Sequence, residues 1–276
     1  MKNLIIMAAG ASSRMKKTLD EVTLSSKVME VASNEHKTLI PLDGTDKCLL
    51  YFLCINARNA GYKDMYILTS PENKAFISWI DKYSLDPKLE GLKFFLPVQE
   101  VPDGREKPMG TADGIQQVLD QFPKLLNEKF TVCNADNLYS VDVLKTLLNH
   151  NSSLHSIMAY DREYLKFPEQ RITKFALIKV DDEGYLDEIV EKPPIETHNS
   201  FRNSSNELLV SMNIFSFSGS EIYPFLKNCI MNPERNEKEL PEAVRSVIKN
   251  NKKTVFTYIA KEHLKDLTSA HDIKQF

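Results

Sequence analysis

Apolar runs of strand length alternate with segments of helical period through the first half of the chain, the pattern of parallel βαβ units. A strand over 4–9 leads into a loop region, 48–60 reads as an amphipathic helix closed by Gly61, and 65–69 reads as the next strand. Helix and strand then repeat: 73–83 is helical, 92–98 is a strand, 112–121 is helical, and 130–134 is a short buried strand ending in polar residues. After about residue 150 the texture changes to hairpin-like strands, with 176–180 and 186–190 joined through Asp181-Asp182-Glu183-Gly184 and a further strand at 208–217. Helices near 239–250 and 269–275 flank a strand at 254–259. The polar, charged segment 18–35 reads either as a helix-containing lid or as a solvated excursion, and its sparse apolar positions favour the excursion. The fold class is α/β.

Composition narrows the class. With 276 residues and 42% hydrophobic content the chain can bury a full core, as one large domain or two joined lobes. A net charge of -3, from 35 basic and 38 acidic residues, gives no footprint for nucleic acid and no general attraction to an anionic membrane. The cysteines at 48, 54, 133 and 229 have no C-x-x-C pairing and fall mostly in apolar stretches, which suits reduced thiols in a cytoplasmic protein and argues against zinc. The first apolar run is too short for a secretory signal, and no later stretch approaches membrane-spanning length. The six histidines have no metal-ligand spacing, and Ser12 and Ser13 have no evident base partner.

Candidate chemistry begins where the first strand ends. Ala8-Ala9-Gly10-Ala11-Ser12-Ser13-Arg14 is a small-residue loop closed by an arginine and followed by Lys16 and Lys17. Small residues let backbone N–H groups approach a phosphate, and the arginine offers a fork of donors. An ordinary strand-to-helix turn with a solvated basic patch is the other reading. Neither the three glycines of a dinucleotide fingerprint nor the G-K-[ST] of a P-loop is present. Lys37 then enters the apolar segment Thr38-Leu39-Ile40-Pro41-Leu42, Gln99 ends a strand with both an amide donor and an acceptor, and Pro108-Met109-Gly110-Thr111-Ala112-Asp113-Gly114 is a second small-residue turn opening a helix. Asp136 follows an apolar strand, placed either to hold Mg²⁺ against phosphates or to cap the next turn.

In order and spacing, AAGASSRM at 8–15, KTLIPL at 37–42, REKPMGTADG at 105–114, NADNLY at 134–139, EKP at 191–193 and VSMN at 210–213 resemble the nucleotidyltransferase family of sugar-nucleotide pyrophosphorylases. The resemblance spans nearly the whole chain. It implies a Rossmann-like, three-layer α/β/α nucleotidyltransferase (GT-A-like) fold with a mixed, mainly parallel central sheet. One domain over 1–276 would have a nucleotide-binding half, 1–145, and a sugar-phosphate-binding half, 146–276.

By the same resemblance, Ala9, Gly10 and Ala11 hold the triphosphate, Arg14 stabilises departing pyrophosphate, and Lys37 contacts the reacting phosphates, with Lys16 or Lys17 as alternatives. Gln99, Gly110 and Thr111 belong to the nucleotide site, where Gln99 and the Gly110 backbone read a pyrimidine base (UTP, dTTP or CTP). Asp136 and Asp266 hold Mg²⁺, while Glu191, Lys192 and Asn213 take the sugar phosphate. Position 213 is Asn where many relatives have Gly, Lys265 replaces an aromatic residue, and the 18–35 segment is longer than usual. The implied activity is Mg²⁺-dependent nucleotidyl transfer from a nucleoside triphosphate to a sugar 1-phosphate. No nucleic acid or membrane partner is expected, and self-association through the second half stays open. No hexapeptide repeats follow, so no β-helix acetyltransferase domain is expected. Two other classes remain beside this one: a catalytically silent ligand-sensing homologue, and a metal-dependent glycosyltransferase, for which Asp136-Asn137-Leu138 lacks the D-x-D pattern.

Overall fold

The computed structural model describes all residues except 1, 43, 152 and 153. In chain order the described strands are β1 (Asn3–Met7), β2 (Asp64–Leu68), β3 (Lys93–Phe95), β4 (Lys129–Asn134), β5 (Asn137–Leu138), β6 (His155–Asp161), β7 (Ala176–Val180), β8 (Leu186–Val190), β9 (Leu209–Ser218), β10 (Val255–Ala260) and β11 (Lys265–Asp266). The α-helices are α1 (Ser13–Lys17), α2 (Ser26–Asn34), α3 (Leu49–Ala60), α4 (Lys74–Tyr83), α5 (Thr111–Gln121), α6 (Val141–Leu148), α7 (Glu169–Ile172), α8 (Gly219–Lys227) and α9 (Leu240–Asn250). The α/β class is as the hydrophobic pattern predicts. Contacts divide the chain into two compact units: the first holds Lys2–Glu100, Cys133–Lys145 and Leu264–Phe276, and the second holds Val101–Val132 and Thr146–His263.

In the first unit β1, β2 and β3 pair in parallel, in register from Asn3↔Asp64 and from Asp64↔Lys93. Leu4, Ile5 and Ile6 are fully buried, each worth roughly 1.5–3 kcal/mol of apolar burial. The crossover α3 presents Leu49, Leu50, Leu53, Cys54, Ala57 and Ala60 to the core, and Gly61 ends it at φ 108° by donating to the Ala57 and Arg58 carbonyls. In α4 the 3.6-residue period puts Phe76, Trp79 and Tyr83 on the buried face.

The 18–35 segment corrects the expectation of a solvated excursion. Ser25 caps α2, and Leu19 and Ala32 are buried with Leu42, Leu49, Leu267, Ala270 and Ile273, while Val28, Met29 and Val31 pack against that cluster. The apolar positions are few, but they recur on one helical face and the C-terminal residues cover them. The Ala270 N–H donates to Thr18 Oγ1 at 2.9 Å. Two further boundaries differ: the 92–98 strand shortens to β3 plus a bridge at Val98, and 269–275 is a 3-10 helix over Ala270–Gln275.

In the second unit β6 lies parallel to β10 and antiparallel to β9, and β7 pairs antiparallel with both β8 and β9. The expected β7–β8 hairpin is present. Helix α9 carries Pro241 in its first turn, where a missing N–H breaks no helical bond, and buries Leu240, Ala243, Val244, Val247 and Ile248. Among the described residues no helix is long and apolar enough to cross a membrane.

Candidate functional site

The first unit gathers Lys37, Asp136, Asp266 and the 8–12 loop. A 3-10 turn, Lys37–Leu39, opens with the Thr38 N–H donating to His36 Nδ1 at 3.2 Å, and the Lys37 N–H donates to Ser12 Oγ at 3.1 Å. The Lys37 ammonium forms an ion pair and hydrogen bond with Asp136 Oδ2. These side chains are 15% and 20% exposed, so water screens the pair only in part. His36 is held down at about 4 by desolvation of its ring and then by the Lys37 charge, which leaves the imidazole neutral.

Asp136 sits between β4 and β5, and β5 pairs with β11 so that Asn137 faces Asp266. The Leu267 N–H donates to the Asp136 carbonyl at 2.8 Å, and Thr268 Oγ1 donates to Asp266 Oδ1 at 2.7 Å. The two aspartates therefore stand on adjacent, paired backbone. That donor set fits Mg²⁺, which takes one or two carboxylates and completes its shell with phosphate oxygens and water. Among the described residues no group of three or more His, Cys, Asp or Glu forms an all-protein metal cage.

Ala9 and Ala11 flank Gly10, where a β-carbon would meet nothing within 4 Å, so the loop face there is open. Arg14 is exposed on α1. Gln99 is buried beyond the Thr69↔Val98 bridge, with its N–H on the Thr69 carbonyl at 2.8 Å.

The second unit holds Gly110, Thr111, Glu191, Lys192 and Asn213. Gly110 stands at φ 104° before α5, where the Ala112 N–H donates to the Lys238 carbonyl and Thr111 Oγ1 accepts from the Leu240 N–H, both at 2.9 Å. Glu191 and Lys192 follow β8, and Lys192 takes a left-handed φ of 45° ahead of Pro193. Asn213 has φ 55° where the β6–β9 register shifts, a bulge of the kind that re-aims a side chain.

Desolvation, then the neighbouring Glu239, raises the Glu191 carboxyl, with Arg235, Lys192 and Arg245 opposing. Arg235 bonds Glu239, whose other oxygen accepts from Asn232 Nδ2 at 2.8 Å. Sequence reasoning missed Arg235 and Glu239 because 234–239, Glu-Arg-Asn-Glu-Lys-Glu, looks like a solvated charge run. The available signal was the Asn232 turn, whose Oδ1 accepts from the Glu234 and Arg235 amides at 3.0 and 3.2 Å.

The family model described as nucleotidyl transferase matches residues 24–271, a span holding every site residue above except the 8–14 loop and its arginine. The small subunit of a chloroplastic/amyloplastic glucose-1-phosphate adenylyltransferase from Triticum aestivum is 29% identical over 165 residues, covering 57% of this chain and 33% of that protein. The chain thus spans about a third of the length of this curated relative. A crystal structure of a UDP-glucose pyrophosphorylase complexed with UDP-glucose shares the fold, with a TM-score of 0.73 and 19% identity over 100% of this chain and 96% of that one. On the family match, which takes in the paired aspartates, Lys37 and the Glu191 turn, this chain belongs to the nucleotidyl transferase family.

Proposed function

We propose that the chain transfers a nucleotidyl group from a nucleoside triphosphate, preferentially a pyrimidine one, to a sugar 1-phosphate, releasing pyrophosphate in a Mg²⁺-dependent reaction. The observation that carries this reading is the Lys37–Asp136 ion pair, with Asp266 on the adjoining strand and the open Gly10 loop tied to the same turn. A lysine and two carboxylates beside a small-residue loop suit polyphosphate chemistry, which asks for positioning and charge stabilisation more than for a nucleophile on the protein.

A sugar phosphate oxygen attacks the α-phosphorus. As that bond forms, the α-phosphorus to bridging-oxygen bond breaks and its electron pair leaves with pyrophosphate. The attacking phosphate is already ionised, so no general base is required. Lys37 neutralises the reacting phosphates, and Arg14 the departing pyrophosphate. The amides of Ala9, Gly10 and Ala11 hold the triphosphate. Gln99, Gly110 and Thr111 read the base by amide and backbone polarity. Lys192, Arg235 and Asn213 take the sugar phosphate, and Glu191 accepts from sugar hydroxyls. Asp136 and Asp266 would hold Mg²⁺, which when bound supplies charge neutralisation to phosphate oxygens. The four buried thiols support a reducing, cytoplasmic setting.

The test is pyrophosphate release across a matrix of nucleoside triphosphates and sugar 1-phosphates. Activity with UTP, dTTP or CTP is expected, and Asp136→Ala is expected to lower turnover at least about a hundredfold with an unchanged circular dichroism spectrum. Near wild-type turnover in Asp136→Ala defeats the assignment, and a purine preference defeats the base reading alone.

A further inference from the structure

Lys37 has a long, flexible side chain, so the place of its ammonium depends on how firmly its backbone is held. Two hydroxyls hold it. Ser12 Oγ accepts the Lys37 N–H at 3.1 Å across 25 residues of sequence. On the other side Thr38, fully buried, donates from Oγ1 to the Ala135 carbonyl at 2.7 Å, one residue before Asp136. Ala135 is itself anchored, its N–H donating to the Met7 carbonyl at 3.2 Å where β1 runs into the loop.

Ser12 carries a second sign of constraint. It adopts φ 53°, ψ 27°, a left-handed conformation that a non-glycine residue rarely takes and that persists where the surroundings over-determine it. Its carbonyl accepts the Lys16 N–H at 3.1 Å, so backbone and hydroxyl are both engaged.

We propose that Ser12 and Thr38 are positioning residues, whose hydroxyls fasten the Lys37 turn to the 8–12 loop on one side and to the Asp136 segment on the other. This rests on the nucleotidyl-transfer reading for its consequence and on geometry for its existence. Backbone displacement of about 1 Å at Lys37 misaligns a charge that must meet the reacting phosphates, a loss that appears in kcat more than in sugar-phosphate binding.

The test uses Ser12→Gly, which relieves the left-handed backbone while deleting the hydroxyl, Thr38→Val, which keeps the volume, and Thr38→Ser, which restores the donor. Ser12→Gly and Thr38→Val are expected to lower kcat roughly 10- to 100-fold, with KM for the sugar 1-phosphate within about twofold, and Thr38→Ser to return kcat toward wild type. Amide hydrogen exchange read by NMR is expected to speed at Lys37 in Ser12→Gly by at least about tenfold. Wild-type kcat in folded Ser12→Gly and Thr38→Val, or unchanged Lys37 exchange in Ser12→Gly, overturns the proposal. If Thr38→Val fails to fold, Ser12→Gly carries both readouts. A wild-type protein silent across the whole substrate matrix overturns the functional reading instead, and the exchange measurement then decides the tie by itself.

Discussion

At Gly110 the backbone stands at φ 104°, and a β-carbon there would lie 2.6 Å from the Lys238 carbonyl oxygen and 2.9 Å from its nitrogen. Both obstacles are backbone atoms, so no rotamer change relieves them. Gly110→Ala is expected to displace the turn and raise KM for the nucleoside triphosphate about tenfold or more, with a smaller change in KM for the sugar 1-phosphate, measured by pyrophosphate release. Single residues were unevenly legible in the sequence. Lys37 drew attention only in company with the 108–114 turn, because a lysine entering an apolar segment is most often a surface residue, and its bond to Asp136 is a contact that one position cannot announce. Arg235 and Glu239 did not, because a buried glutamate met by an exposed arginine and two charges in water have the same one-letter codes. The hydroxyls of Ser12 and Thr38 were equally silent, since a contact across 25 or 97 positions leaves no periodicity.

Elements with one buried face were readable from period alone, and α3, α4, α5 and the β7–β8 hairpin lie close to where the pattern put them. Helix α2 was hidden because its short apolar stripe needs residues 267–273 to complete the core. Strand β6 was missed for another reason: it is buried along its whole length, but His155, Ser156 and Asp161 occupy its ends and leave an apolar run of only Ile157 to Tyr160 to announce it. Helix α8 starts under tight packing that a pattern cannot reveal. A β-carbon on Gly219 would lie 2.0 Å from the Leu125 carbonyl oxygen, and the Gly219 N–H donates to the Glu128 carbonyl at 2.9 Å. Gly219→Ala must move α8 or the 3-10 segment Pro123–Asn127. It is expected to cost roughly 3 kcal/mol, read as a lower midpoint in urea unfolding.

At the scale of the whole molecule, stability couples to pH through His155. This residue is buried on β6, its Nδ1 accepts from the Ser218 N–H at 3.3 Å, and its ring meets Phe217 edge-on at 5.5 Å between centroids. Desolvation, then Lys129 and His150, bring it down to about 4 from an ordinary 6.5. The native ring is therefore neutral where the unfolded one has begun to take up a proton. Its contribution is complete above about pH 6.5 and drains away as pH falls toward 4, a loss of roughly 3 kcal/mol at most. Unfolding free energies at pH 7.5, 6 and 5 are expected to decline in that order, and His155→Gln to make the decline shallower, with His36, also held down at about 4 by desolvation, carrying the remainder. A flat wild-type profile removes His155 from the account.

The interleaving of the two units reaches into how the protein is made. Residues 264–276 complete the unit that starts at Lys2, supplying β11 and the Leu267, Ala270 and Ile273 contacts, yet the ribosome reaches them only after all of 146–263. During synthesis the unit that begins first is therefore the last to receive its full apolar cover, since its closing segment follows the whole chain of the other unit.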